Sequence, residues 1–496
     1  MNTRLSYISL LLAAASATAL SSCDSYLDIE PKGRTQLTTT TDYLGLLEEI
    51  SPNYDHGNSW TMCDEASWYI LGDLERYTVP LRSAAFYWDE SVDRCSYTID
   101  SELYNSCYSR ITNYNAIISN IDKADGPESD KELAMAQAKA MRAYNYFFLL
   151  NTFARPYDPA TAESEPGIIV REKMFQSIEE AGIQQSVAYT YRFIKQDLTD
   201  AIPALPHKAI NSFRPDRTFG YALKAKVHLF MREIDECIAA CQNALDEAAA
   251  GGHQLWDMNA EYNRYGPMLL NAYGIDMAID DPRYGYINPT IENIWKNAIT
   301  YNYDGAENLL YQFGTTYTDP YPMYVTKRVL DLFEQNADMR YRCCIRYNRT
   351  HETAPEGDRE FATLSIRWNP GGMRLSEVYL MLAECYARKG GPQNIALAMQ
   401  YLDTLRSHRL IAGKYNRLTA STDEEALRHV REERKRELFL TSNGFFDMRR
   451  FCAEFNETVT KEINGTTYSI GPDSHLLTYP FPLKAMQTSK LIQNSK

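Results

Sequence analysis

Apolar residues recur every three or four positions along several long stretches of this chain, and those stretches predict helices. Leu103, Cys107, Ile111, Tyr114, Ile118 and Ile121 share one face, which ends before Gly126-Pro127. Leu133, Gln137, Ala140, Met141, Tyr144 and Phe148 carry the same period to a stop near Arg155-Pro156. Ser177 with Glu180 reads as a capping box, and Val187, Tyr191, Ile194, Leu198 and Ile202 follow on one face. Thr218 to Met231 and Asp235 to Ala249 predict a helix pair with Ala222, Ala225, Ala239, Ala240 and Ala244 at its contact face. A second pair is predicted over Arg374 to Arg388 and Asn394 to His408, with Ala383, Ala387, Ala396 and Ala398 small. Helices over Thr38 to Ile50, Val325 to Glu334 and Asp423 to Leu440, and a strand over Tyr341 to Tyr347, complete the pattern.

Two stretches break it. Ser51 to Asp100 holds Trp60, Trp68, Tyr69, Tyr77, Tyr87 and Trp88 in no period, and Gly251 to Asp319 holds Trp256, Trp295 and nine tyrosines likewise. Each clean pair spans about 34 residues with alanine where helices approach, the size of a tetratricopeptide-like repeat. The predicted fold is therefore mainly all-α, an α/α scaffold of about four such pairs with irregular, loop-rich insertions. Scaffold helices are placed at about 37–50, 99–250, 325–340 and 374–450, and insertions at about 51–98 and 251–324.

The start of the chain follows a different rule. Arg4, an uncharged run from Leu5 to Leu20 and then Leu20-Ser21-Ser22-Cys23 read as a bacterial lipoprotein leader over 1–22, with Cys23 expected to be lipidated; the alternative is an ordinary secretory cleavage after Ala19. Residues 23–36 read as an acidic tether and 37–496 as the body. Charge narrows the partners: a net charge of −14 excludes a nucleic-acid binder, which needs clustered Lys and Arg. The one basic cluster, Arg428 to Arg436, is interleaved with Glu432 and Glu433 and reads as a solvated helix face. Removing Cys23 from 10 cysteines leaves an odd number, so buried free thiols are expected for most.

Motifs for catalysis are missing. The 8 histidines are scattered, without His-Glu-x-x-His, and no Gly-x-Ser-x-Gly elbow, P-loop or dinucleotide fingerprint occurs. No cofactor or metal is indicated, and no Asp-x-Asp-x-Asp-Gly loop argues for calcium. Adjacent acids such as Asp64-Glu65, Asp89-Glu90 and Glu179-Glu180 are expected by chance among 65. What stands out is 36 tyrosines, roughly twice an average share. Pyranose rings pack a C–H face on Trp or Tyr, while carboxylates, amides and Arg bond the hydroxyls. Trp60, Asp64, Trp68, Tyr69, Asp73 and Arg76 supply those types in one insertion, and Tyr301, Tyr303, Tyr311 and Tyr317 in the other. For any single aromatic, plain packing is the simpler account; a subset forming a binding face is the expectation.

Several passages resemble the SusD/RagB family of outer-membrane nutrient-binding lipoproteins. They are Cys23-Asp24-Ser25-Tyr26-Leu27-Asp28-Ile29-Glu30-Pro31-Lys32-Gly33, the Arg142-Ala143-Tyr144-Asn145-Tyr146 helix, Arg374-Leu375-Ser376-Glu377-Val378-Tyr379-Leu380, Arg431 to Leu438 with Gly444 to Arg450, and Tyr479-Pro480-Phe481-Pro482. The chain departs from the family at Ser442-Asn443, where members read Glu-Gly-x-Arg. The resemblance implies four tetratricopeptide-like pairs with an irregular ligand-binding lobe. It implies a surface lipoprotein that binds an oligosaccharide, or in some members a peptide, and passes it to a TonB-dependent SusC-like barrel. It places the aromatic platforms loosely at Trp60–Trp88 and Tyr301–Tyr324. A surface glycan hydrolase, needing two carboxylates about 5 to 10 Å apart, and a purely structural lid are the rival readings.

Overall fold

A helix buried on every side has to be enclosed by others, and Glu128–Phe153 is enclosed from Ala136 onward, with Lys139 the one position of that stretch left partly open. In the computed structural model, residues 37–50, 53–54, 67–68, 80–174, 182–273, 305–314, 324–347, 362–364, 369, 371–439, 441–463 and 465–494 are described. The longer helices are α1 (Thr40–Glu49), α2 (Pro80–Tyr87), α3 (Glu102–Asn120), α4 (Glu128–Phe153), α5 (Val187–Ala201), α6 (Arg217–Phe230), α7 (Ile234–Gly251), α8 (Met258–Tyr273), α9 (Leu375–Lys389), α10 (Pro392–Arg409), α11 (Asp423–Leu438) and α12 (Ser442–Phe455). Along the series α3, α4, α5, α6, α7, α9 and α10 each helix packs on the next, and α11 closes against α9 and α10. The mainly all-α fold is thus observed.

Local chemistry starts and stops these helices. Side chains of Thr39, Ser101, Ser186, Asp216 and Thr422 accept a backbone N–H in the first turns of α1, α3, α5, α6 and α11. Helix α7 ends on Gly252, whose φ of 76° is the left-handed cap that glycine adopts without strain. Ala222, Ala225, Ala240 and Ala244 are buried where α6 and α7 meet, as their spacing predicts, whereas Ala239 turns out to solvent.

Elsewhere the structure departs from the pattern. Helix α5 is capped by Ser186 after a strand at Gln184–Ser186; Ser177 and Glu180 lie outside the described residues. Residues expected as a helix over Val325 to Glu334 form one turn, Lys327–Leu330, behind a strand at Tyr324–Val325. Residues Met339–Cys344 are helical and only Ile345–Tyr347 extended. Helices α2 and α8 arise inside stretches without period, α8 carrying Pro267 within it. A further helix, α12, and a hairpin of Val459–Ile463 with Thr466–Ile470 follow α11. Short strands tie the two insertions together: Ser67–Trp68 pairs antiparallel with Tyr324–Val325, and Asn53–Tyr54 parallel with Phe313–Gly314.

The largest correction concerns α11. Glu433, Arg434, Arg436 and Glu437 are buried, and only the other side of this helix meets water. The Glu437 carboxylate accepts from Arg374 at 2.8 Å, Arg409 at 2.8 and 3.1 Å and Arg340 at 2.9 Å. Glu433 accepts from Arg340 at 2.7 Å and Arg436 at 2.7 and 2.9 Å. A second cluster joins Arg450 to Glu384 at 2.5 and 2.6 Å and Arg434 to Asp447 at 2.7 and 3.0 Å. Apart from Arg436, which pairs with Glu433 three residues away on α11, these partners lie on other elements, so no local pattern announces them. The described cysteines are free thiols, most of them buried.

Burial alone would raise these carboxyl pKa values, but the facing guanidinium groups overcome it and hold Glu433 at about 2 and Glu437 far below its ordinary value. A carboxyl depressed on folding contributes stability that is complete above its unfolded value, near 4.5, and is lost as pH falls toward the folded value. Thermal unfolding followed against pH is therefore expected to be level from neutrality to about pH 5 and to drop steeply between about 4.5 and 2. Glu437→Gln leaves buried guanidinium groups short of charge and is expected to cost about 3–5 kcal/mol in denaturant titration.

Candidate functional site: an aromatic and amide-lined cleft

A cleft of ≈ 810 Å³ lies where the residues after α7 and the start of α8 face segment 305–311 and the first turns of α9. Its first wall begins at the left-handed Gly252, which turns the chain back so that His253 N–H reaches Ala248 O at 2.7 Å. Gln254 N–H then donates to Ala306 O at 3.1 Å, setting this strand of chain beside the next wall. Trp256 follows, half-buried, and its main chain is held at both ends by charged groups. Its N–H donates to Glu307 Oε2 at 2.7 Å, and its carbonyl accepts from Arg409 Nη1 at 2.6 Å. Arg409 Nη2 also donates to Glu307 Oε1 at 2.7 Å, which joins this clamp to Glu437.

The second wall is Asn308–Leu310, antiparallel to Met373–Arg374. Asn369 locks the two together: its Oδ1 accepts from Gln312 N–H at 2.9 Å, and its Nδ2 donates to Leu310 O at 2.7 Å and Asn308 Oδ1 at 3.0 Å. Asn369 does this from a left-handed φ of 45°, which Asn tolerates better than most residues. Gly372 comes so near that a Cβ there would collide with the Asn369 amide and the Leu310 carbonyl oxygen. Tyr379 of α9 and His408 of α10 close the third side. Burial and the Glu307 charge both push the Tyr379 phenol upward, so it stays a neutral donor. His253 is braced between Asp216 Oδ2, 2.6 Å from Nε2, and Ala306 O, 3.2 Å from Nδ1.

Chemically this is a place to hold a molecule. Trp256 and Tyr379 present partly open rings, and Gln254, Asp257 and Asn308 supply polar groups around them. Both Glu307 oxygens are engaged, by the Trp256 amide and by arginines. Among the described residues no cluster of His, Cys, Asp and Glu fits a metal ion.

Of the residues singled out from sequence, Trp60, Asp64, Tyr69, Asp73, Arg76, Tyr301, Tyr303 and Tyr317 lie outside the described residues, as does Cys23. Trp68 is placed by its backbone opposite Tyr324. Tyr311 lines the cleft but is 3% exposed, with its ring edge-on to Phe213 at 6.1 Å between centroids. The cleft residues that the sequence reading left out of its site are Trp256, Tyr379, Asn308 and Asn369. Trp256 had a signal, standing four residues past the Gly251-Gly252 stop in an aromatic insertion. Tyr379 had none, since it falls on a regular helical face.

Comparison with known proteins agrees with this architecture. Residues 335–482 match the model of the SusD family, and residues 26–229 match a family described as starch-binding and associating with the outer membrane. No curated protein matches the chain by sequence. Its fold is similar to a SusD superfamily protein from Bacteroides thetaiotaomicron, at 18% identity and a TM-score of 0.69, covering 92% of this chain and 100% of that one. It is similar to a putative sugar binding protein from Bacteroides vulgatus, at 19% and 0.65, covering 93% and 99%. A laminarin binding SusD-like protein matches at 16% and 0.58, covering 92% and 99%. Among the described residues no helix is long and apolar enough to cross a membrane.

The clamp on Trp256 has a direct readout. Glu307→Gln replaces a charge-assisted acceptor with a neutral one, worth about 1.5–3 kcal/mol when intact. Amide exchange at Trp256 is expected to speed up tenfold or more, measured by hydrogen exchange with mass spectrometry, while the amides of α4 stay protected.

Proposed function

Because the chain belongs to the SusD/RagB family, we propose that it is a lipid-anchored surface protein that binds an oligosaccharide beside Trp256 and hands it to a TonB-dependent, SusC-like outer-membrane barrel. The observation that carries this reading is the cleft itself: partly open aromatic faces ringed by amide and carboxylate groups, in a volume of ≈ 810 Å³ that accepts a few sugar rings. Family descriptions that name starch binding and the outer membrane support it, as does a fold neighbour that binds laminarin. The two insertions expected to carry the aromatic platforms meet through the strand pairs of Ser67–Trp68 with Tyr324–Val325 and of Asn53–Tyr54 with Phe313–Gly314. The protein works by binding and orientation, without bond-making of its own. Cys23 supplies the anchor, and several acyl chains at about 0.8 kcal/mol per buried CH₂ hold it to the membrane.

Calorimetry of the mature protein against glycan and peptide panels is the test. One class of oligosaccharide is expected to bind saturably, and Trp256→Ala to weaken it about tenfold or more, with an unchanged melting temperature. Trp68→Ala is expected to act in the same direction. Saturable binding to peptides and none to glycans would replace the reading with a peptide receptor. Cys23→Ala is expected to move the protein from the membrane to the soluble fraction; an unchanged fractionation would remove the anchor.

A further inference from the structure

We infer that the cleft is built for an uncharged oligosaccharide and discriminates against glycans that carry carboxylate or sulfate groups. This rests on the cleft being the glycan site.

The argument starts from the charges at its walls. Asp257 and Glu307 line it, and among its described lining residues Arg374 is the one guanidinium and lysine is absent. Arg374 is buried and already committed, with Nη1 at 2.8 Å from Glu437 Oε1 and 3.4 Å from Glu307 Oε1, and Nη2 at 2.7 Å from the Glu437 carbonyl. To bind an incoming anion it would have to strip Glu437 of a partner, leaving a buried charge poorly matched. The histidines are engaged as well, His253 by Asp216 and Ala306 O, and His408 by Thr404 O at 2.8 Å. Recognition of carboxylate or sulfate draws on Arg and Lys donors that are still uncommitted. Nothing in the described lining offers one.

A neutral sugar meets none of this as a penalty, because its hydroxyls donate to carboxylates such as Asp257. An anionic group held roughly 5 Å from Asp257, at an effective dielectric of about 20, loses on the order of ten- to a hundredfold in affinity after salt screening.

The test uses the full-length protein and paired probes: oligosaccharides of starch, laminarin, mannan and galactan, each beside its counterpart oxidised from primary alcohol to carboxylate at C6. The neutral member of whichever pair binds is expected to bind at least tenfold tighter. Asp257→Asn, which keeps the cap that Asp257 Oδ1 makes to Ala260 N–H at 2.9 Å, is expected to narrow that gap several-fold, and so is raising salt from 0.05 to 0.5 M. Equal or tighter binding of the carboxylated member overturns the inference and leaves the glycan receptor standing. Discrimination that survives unchanged in both Asp257→Asn and high salt also overturns it, since the cause would then be shape. Failure of every neutral and charged glycan to bind removes the receptor reading and this inference with it.

Discussion

The Glu437 carboxylate is the point from which the C-terminal half of the molecule is hung. Three arginines converge on it from separate places: Arg374 at the start of α9, Arg409 at the end of α10, and Arg340 from the short helix Met339–Cys344. Taking so many charges out of water is costly, and a well-packed apolar cluster of the same volume stabilises as well or better. What the network contributes is discrimination among packings. Two helices with alanine-rich contact faces slide past one another at little cost, whereas a guanidinium bound to two carboxylates fits one register only. Arg340 is fully buried and shared by Asp338, Glu433 and Glu437, so a shift of any of these elements leaves a charge unmatched.

That constraint reaches the cleft through Glu307 and Arg409, which grip the main chain of Trp256 from both sides. The indole is therefore presented by a loop that behaves as part of the scaffold. Loops ordinarily lose entropy when a ligand orders them. Here the ordering is done on folding, by Glu307 and Arg409, which hold the main chain on either side of the ring. The same logic explains why Asn369 occupies a left-handed conformation: it satisfies three neighbours of the second wall at once, and the strain is the cost of fixing that wall.

Helices α3 to α7, α9 and α10 were legible because each carries a sustained apolar period and most carry a cap or glycine stop beside it. Helix α8 was not, because Gly266-Pro267 sits inside it and breaks the rule that a proline ends a helix. The face of α11 was misread for a more instructive reason. Arg434, Arg436, Glu433 and Glu437 look like surface residues by type, and their burial depends on Arg340, Arg374, Arg406 and Glu384, which are distant in sequence. Charge patterning along one helix cannot report partners from another. At the cleft, Tyr311 is packed into its wall, while Trp256, from an aromatic insertion, and Tyr379, from a regular helix, line it partly exposed. The family motifs reported the network indirectly, since Arg374 and Glu437 both fall within them.

A neutral ligand has a kinetic consequence for a protein with a net charge of −14. Electrostatic steering, which speeds capture of charged partners, does nothing for an uncharged sugar. Association then proceeds at the unsteered rate of roughly 10⁵–10⁷ M⁻¹s⁻¹, and affinity is set by how fast the ligand leaves. On the proposed reading, a cleft with two partly exposed rings and one row of polar groups holds a short oligosaccharide only briefly. A long glycan differs, because its repeating units remain at high effective concentration after one of them lets go. Brief single contacts with frequent rebinding keep a polymer at the surface while leaving each segment free to move on. On the proposed reading, in which the ligand is handed to a partner barrel, weak and repeated holding on a rigid platform serves better than one tight grip.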